Sequence, residues 1–144
     1  MSLTYQLTAY DWSSFHWENR WVSKYAKTKV NHVGLRINKM EILATRDGAR
    51  LLPYSRIERA FNKPLFMTSP KIMTLKTWQK CLPIIQEYGV IHPWKCVVYH
   101  FTGGILPAPR SCTHLIQRCL VAIGEPTKEK VYPHLLLKEY YQCK

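Results

Sequence analysis

Val30-Asn31-His32-Val33-Gly34-Leu35-Arg36-Ile37-Asn38-Lys39-Met40-Glu41-Ile42-Leu43-Ala44-Thr45 is the stretch whose reading decides the fold. Alternation over its first half puts Val33, Leu35 and Ile37 on one face of a strand and His32, Gly34 and Arg36 on the other. Asn38-Lys39 supplies a turn and Met40–Thr45 a second strand, so the segment predicts an antiparallel hairpin, although Asn-Lys is not the favoured Asn-Gly pair. Arg46-Asp47-Gly48 makes another turn, and Ala49-Arg50-Leu51-Leu52 a third short strand that Pro53 ends. A histidine held on such a sheet has the rigidity a general base needs. Gly34 is expected to leave open space beside it on the same face.

Upstream, Thr4–Tyr10 is rich in β-formers. From Ser13 or Ser14 the residues Phe15, Trp17, Trp21, Val22 and Tyr25 predict a short helix or an irregular aromatic-rich segment, in which His16 reads as a packed or surface histidine. Downstream, Pro53, Pro64 and Pro70 bracket a short helix at Ser55–Phe61 followed by loop. Thr74 or Thr77 caps the next helix, whose apolar positions Leu75, Trp78, Cys81, Leu82 and Ile85 keep the helical period up to Tyr88-Gly89, with Pro83 as a kink or break. His92-Pro93-Trp94 is a connection, Lys95–Phe101 has strand composition, and Thr102-Gly103-Gly104 turns the chain. Val131–Leu137 reads as a closing strand.

The second decisive stretch is Arg110-Ser111-Cys112-Thr113-His114-Leu115-Ile116-Gln117-Arg118-Cys119-Leu120-Val121. Pro107 and Pro109 hold its approach extended, because the proline ring fixes φ and disfavours helix in the residue before it. Ser111 is a plausible N-cap, Leu115, Ile116, Cys119, Leu120 and Ile123 recur at helical spacing, and Gly124 followed by Pro126 stops the helix. Cys112 therefore stands in the first turn, where the dipole and unpaired backbone N–H groups favour a thiolate. His114, two residues on, points to a different side of the helix and reads as packing or capping.

At 144 residues the chain fits one domain, residues 1–144, and an apolar content of 47% argues against intrinsic disorder. Lys and Arg total 21 against nine Asp and Glu, giving +12, so weak, nonspecific attraction to polyanions is expected. The basic residues are spread along the chain and form no basic tail. The five cysteines, Cys81, Cys96, Cys112, Cys119 and Cys143, form no CxxC pair and no zinc-ligand spacing, and an odd number cannot all pair within one chain. Reduced thiols and a cytoplasmic location are expected. No stretch reads as a signal peptide or membrane span, and there is no HExxH, phosphate loop or paired acidic motif. Neither a metal nor a cofactor is expected.

A thiol becomes a useful nucleophile when an imidazole takes its proton and a third polar group orients that imidazole. Here a strand histidine precedes a helix-start cysteine, with sheet and helix between. This order, together with Asn31-His32-Val33-Gly34-Leu35-Arg36-Ile37, the following strand with its Gly48-Ala49-Arg50-Leu51-Leu52-Pro53 ending, and Ser111-Cys112-Thr113-His114-Leu115-Ile116, resembles the circularly permuted branch of the papain-like NlpC/P60 superfamily. That branch includes the lecithin retinol acyltransferase-like proteins and related bacterial and phage cysteine hydrolases.

The resemblance implies an α+β, papain-like fold with a small antiparallel sheet packed on the nucleophile-bearing helix. It implies a cysteine hydrolase or acyltransferase acting on an amide, ester or thioester of a peptide, acyl or lipid-amide substrate, with Cys112 as nucleophile and His32 as base. Gly34, Ser111 and Trp94 would stand on the substrate side. The branch places a polar orienting group where this chain has Ala44-Thr45; alanine cannot orient an imidazole, so Thr45, or Asn31, Glu41 or His100, would substitute. The rival expectation is a catalytically degenerate module that binds nucleic acid or a protein partner through its basic surface and exposed aromatics.

Overall fold

In the computed structural model the described residues are 2–15, 20, 23–24, 29–45, 48–87 and 112–125. They form an α+β arrangement: β1 (Ser2–Tyr10), β2 (His32–Ile37), β3 (Met40–Thr45), β4 (Gly48–Pro53), α1 (Tyr54–Ala60), β5 (Phe66–Met67), β6 (Lys71–Thr74), α2 (Leu75–Gln79), α3 (Leu82–Glu87) and α4 (Cys112–Ile123). All strand pairs are antiparallel, in the order β4-β3-β2-β1-β5, with β6 on the same edge of β1 as β5.

The hairpin expected from the sequence is present. Ile37 pairs with Met40 across Asn38-Lys39, and Asn38 takes φ +51°, a left-handed conformation that Asn tolerates better than most residues. Gly48 at φ +118° opens β4. β1 then pairs along the free side of β2, from Tyr5↔Ile37 to Tyr10↔His32.

Alternation divides the sheet into two faces. Leu3, Tyr5, Leu7 and Ala9 of β1, Val33, Leu35 and Ile37 of β2, and Ile42 and Ala44 of β3 join Leu115, Ile116, Cys119 and Leu120 of α4 in the main core. The other face carries Tyr10 and Leu43, packed with Trp12 and with Ile57 of α1. On this face Arg36 bonds Glu41 across the strands, Nε to Oε1 at 3.0 Å, while Tyr10 donates to Glu41 Oε2 at 2.6 Å. Arg36 also reaches Glu58 at 3.2 Å and lies 4.0 Å from the Tyr54 ring centroid. The charges are buried but partnered, as burial demands.

Three sequence expectations change. Residues 66–67, expected as loop, and 71–74, for which the sequence carries no strand signal, are edge strands whose pairing with β1 is non-local; Pro64 and Pro70 precede them and do not mark an absence of strand. The expected long helix after Thr74 is broken into α2 and α3 at Lys80-Cys81, with Pro83 in the first turn of α3, where its missing N–H is not needed. Thr74 is the cap, its Oγ1 accepting the Thr77 N–H at 3.1 Å. The third is Gly34, which leaves no open space: a β-carbon there would lie 2.8 Å from Thr8 Oγ1 and 3.0 Å from Glu41 Oε2. The side chains of Thr8 and Glu41 on the neighbouring strands fill the space beside Gly34.

Helix α4 ends at Gly124 with φ +100°, as expected of a C-terminal glycine. The expected strands at Lys95–Phe101 and Val131–Leu137, and His16, Trp17, Trp21, Val22 and Tyr25, lie outside the described residues. Among the described residues no helix is long and apolar enough to cross a membrane.

Candidate active site

Cys112 is the first residue of α4 and is half-buried. Its helix packs across β2 and β3, because its apolar stripe matches the Val33, Leu35, Ile42 and Ala44 face. Among the described residues the β2–β3 ladder stops at Leu35↔Ile42, and no described strand pairs with the start of β2 on that side. The Cys112 sulfur occupies this edge. Burial pushes the thiol above its ordinary value, opposed by the backbone N–H of Val33, the Thr113 hydroxyl and the N–H groups of Thr113 and Cys112. The Thr113 Oγ1 lies 4.0 Å from the sulfur. The thiolate expected from the helix start alone is therefore not the favoured form: the dipole and N–H donors are present, and desolvation outweighs them.

His32 opens β2 and is buried, 5% exposed. Its ring lies on the indole of Trp12, centroids 3.8 Å apart and planes 16° apart, and tilts against Tyr10 at 5.9 Å. Burial pushes its pKa down to about 3, so the imidazole is neutral, and among the described residues Nε2 has no hydrogen-bond partner. No hydrogen bond joins His32 to Cys112. The sequence expectation is a Cys112–His32 pair in contact; in the structure Val33 faces α4, and alternation turns the neighbouring imidazole to the opposite face, where it stacks on Trp12. Cys112 and His32 meet only through the backbone between them, the Val33 N–H being one peptide from the His32 Cα.

The candidates for a third group are mostly committed elsewhere. Asn31 accepts the Trp12 N–H at 2.7 Å and donates to Asp11 at 3.1 Å and Ser23 at 2.8 Å, fixing the turn that positions Trp12 under the imidazole. Glu41 is held by Arg36 and Tyr10. Ala44 is buried in the α4 face. Thr45 ends β3 opposite Gly48, its side chain lying outside the described residues together with Ser111, Trp94 and His100. Among the described residues no group of His, Cys, Asp and Glu side chains is placed to hold a metal ion.

Two participants carried no signal in the sequence. The Val33 N–H is a main-chain group, made available only where the β2–β3 ladder ends. Trp12 stood in a turn, and nothing in Asp11-Trp12-Ser13-Ser14 announced a stacking partner for a histidine twenty residues on. Comparison with protein-family models, curated proteins and solved structures gave no match.

Proposed function

We propose that the chain is a cysteine-dependent hydrolase or acyltransferase of the permuted papain-like type, acting in the cytoplasm on an amide, ester or thioester. The observation that carries this reading is the seat of Cys112: a helix-start thiol where the described β2–β3 pairing of the histidine-bearing strand ends, with three backbone N–H groups acting on its sulfur. Those donors can hold the oxyanion formed when a thiol attacks a carbonyl.

In the proposed cycle the His32 ring leaves Trp12 and turns to the strand edge. Its unpartnered Nε2 means that the movement breaks no hydrogen bond of that nitrogen. The imidazole accepts the Cys112 proton as the sulfur bonds to the carbonyl carbon, then returns it to the departing amine, alcohol or thiol. Water, or a second acyl acceptor, gives its proton to His32 and displaces the acyl group from sulfur, and the imidazolium passes that proton to the departing thiolate. A peptide, acyl chain or lipid amide would each supply the carbonyl.

The test is acylation by an active ester, p-nitrophenyl acetate, followed by intact-mass and peptide-mass measurement. The expected result is an acetyl adduct on Cys112, absent in Cys112→Ala and formed about a hundred-fold more slowly in His32→Ala, the lower range for loss of a general base. A second reading, a catalytically silent module that binds a polyanion or an acidic protein, is favoured by buried Ala44 at the orienting position and by the orientation of His32. Equal acylation of Cys112 with and without His32 would select it.

A further inference from the structure

Cys81 and Cys119 are both fully buried, in the same core cluster. Cys81 sits at the corner between α2 and α3; Cys119 lies on α4, two turns beyond Cys112 and on the same side of the helix. The Cys81 Sγ donates to the Cys119 carbonyl at 3.7 Å. Cys81 is the only fully buried residue between Leu75 and Glu87, with Trp78, Ile84 and Ile85 packed partly buried around it against the core.

We propose that Cys81 and Cys119 form an oxidation site, a dithiol that closes to a disulfide by exchange with a low-molecular-weight disulfide and thereby pins the α2–α3 corner to the helix that begins at Cys112. The Cys81 sulfur already touches the Cys119 main chain, so a side-chain rotation with a small shift of the corner brings the two sulfurs towards a bond of about 2.05 Å. Access comes from local opening of the corner, whose two short helices bury little else.

Cys81 is the first nucleophile, because the Cys119 side chain favours its thiolate while Cys119 itself is pushed the other way. It attacks one sulfur of the small disulfide, forming a mixed disulfide and releasing one small thiolate. Cys119, on losing its proton to that thiolate, attacks the Cys81 sulfur and expels the second. The protein loses two electrons and two protons, and the small disulfide becomes two thiols.

The test is incubation of the folded full chain with oxidised glutathione, quenching by acid and peptide mapping without reduction. The expected product is a peptide pair joined through Cys81 and Cys119, two hydrogens lighter than its reduced parts and restored by dithiothreitol. Cys81→Ala and Cys119→Ala should each abolish it. Preferential linkage of either residue to Cys96, Cys112 or Cys143 would overturn the proposal. So would a pair that stays reduced in the folded chain while a urea-unfolded sample oxidises alongside. No acyl transfer enters the readout, so the outcome is separate from that of the active-ester experiment.

Discussion

The His32 imidazole lies flat on the Trp12 indole, 3.8 Å between centroids, on the sheet face opposite α4. Burial keeps the ring neutral, and this has a definite effect on stability. A histidine whose folded pKa is near 3 and whose unfolded value is about 6.5 binds fewer protons folded than unfolded between those two values. Stability is therefore complete above about pH 6.5 and falls as pH drops towards 3, by up to about 1.4 kcal/mol per unit. Glu41, raised by burial, works in the opposite sense, so the comparison has to be with a variant. In His32→Phe, which keeps the stack and removes the titration, urea unfolding should lose less stability between about pH 6.5 and 4.5 than in the parent. Parallel curves for the two proteins would rule out a buried neutral histidine.

The Arg36–Glu41 pair predicts an asymmetric double-mutant cycle. Arg36→Met leaves the Glu41 carboxylate in the core with Tyr10 and no cation beside it, and should cost about 3–5 kcal/mol in urea unfolding. Adding Glu41→Gln removes the stranded charge and should recover much of that loss. Should Arg36→Met cost below about 1 kcal/mol, Glu41 must be satisfied by something other than Arg36.

Gly34→Ala should destabilise by about 1–3 kcal/mol, since the new methyl meets Thr8 Oγ1 at 2.8 Å and Glu41 Oε2 at 3.0 Å. Strain of this origin has a signature. Thr8→Ala, introduced into the Gly34→Ala chain, should restore stability relative to its effect in the parent. Simple additivity of the two changes, in thermal or urea unfolding, would remove Thr8 as the cause.

The hairpin and α4 were legible in the sequence because each signal is local: alternating residues in Val33–Ile37, helical spacing from Leu115 to Ile123, and the turn and stop residues Asn38, Gly48 and Gly124. β5 and β6 were not, since Phe66–Met67 and Lys71–Thr74 become strands only through pairing with Ser2–Ala9 far upstream. For the candidate site, the sequence identified the two reactive residue types and the elements that carry them. Alternation on β2 already placed His32 opposite Val33; which face α4 would cover follows from Leu35, Ile42 and Ala44 together, a tertiary fact. The electrostatic sign at Cys112 was hidden for the same reason, because the helix end is local and desolvation is not.

That sign yields the last prediction. Helix dipole and N–H donors alone would set the Cys112 thiol below its ordinary value, whereas burial sets it above. Iodoacetamide reacts with the thiolate, so alkylation of Cys112 should be slower than that of a free cysteine near neutral pH and should keep rising beyond about pH 8.5, the ordinary cysteine value. His32→Ala should leave this profile unchanged, because no bond joins the two side chains before an acyl donor binds. Peptide-mass measurement of adducts after timed quenching, between about pH 7 and pH 10, reads the profile. A plateau reached below about pH 7.5 would show a stabilised thiolate and place the sulfur in a more polar seat than the one described. Loss of such a plateau in His32→Ala would further show that imidazole and thiol are paired at rest, with the ring turned away from Trp12.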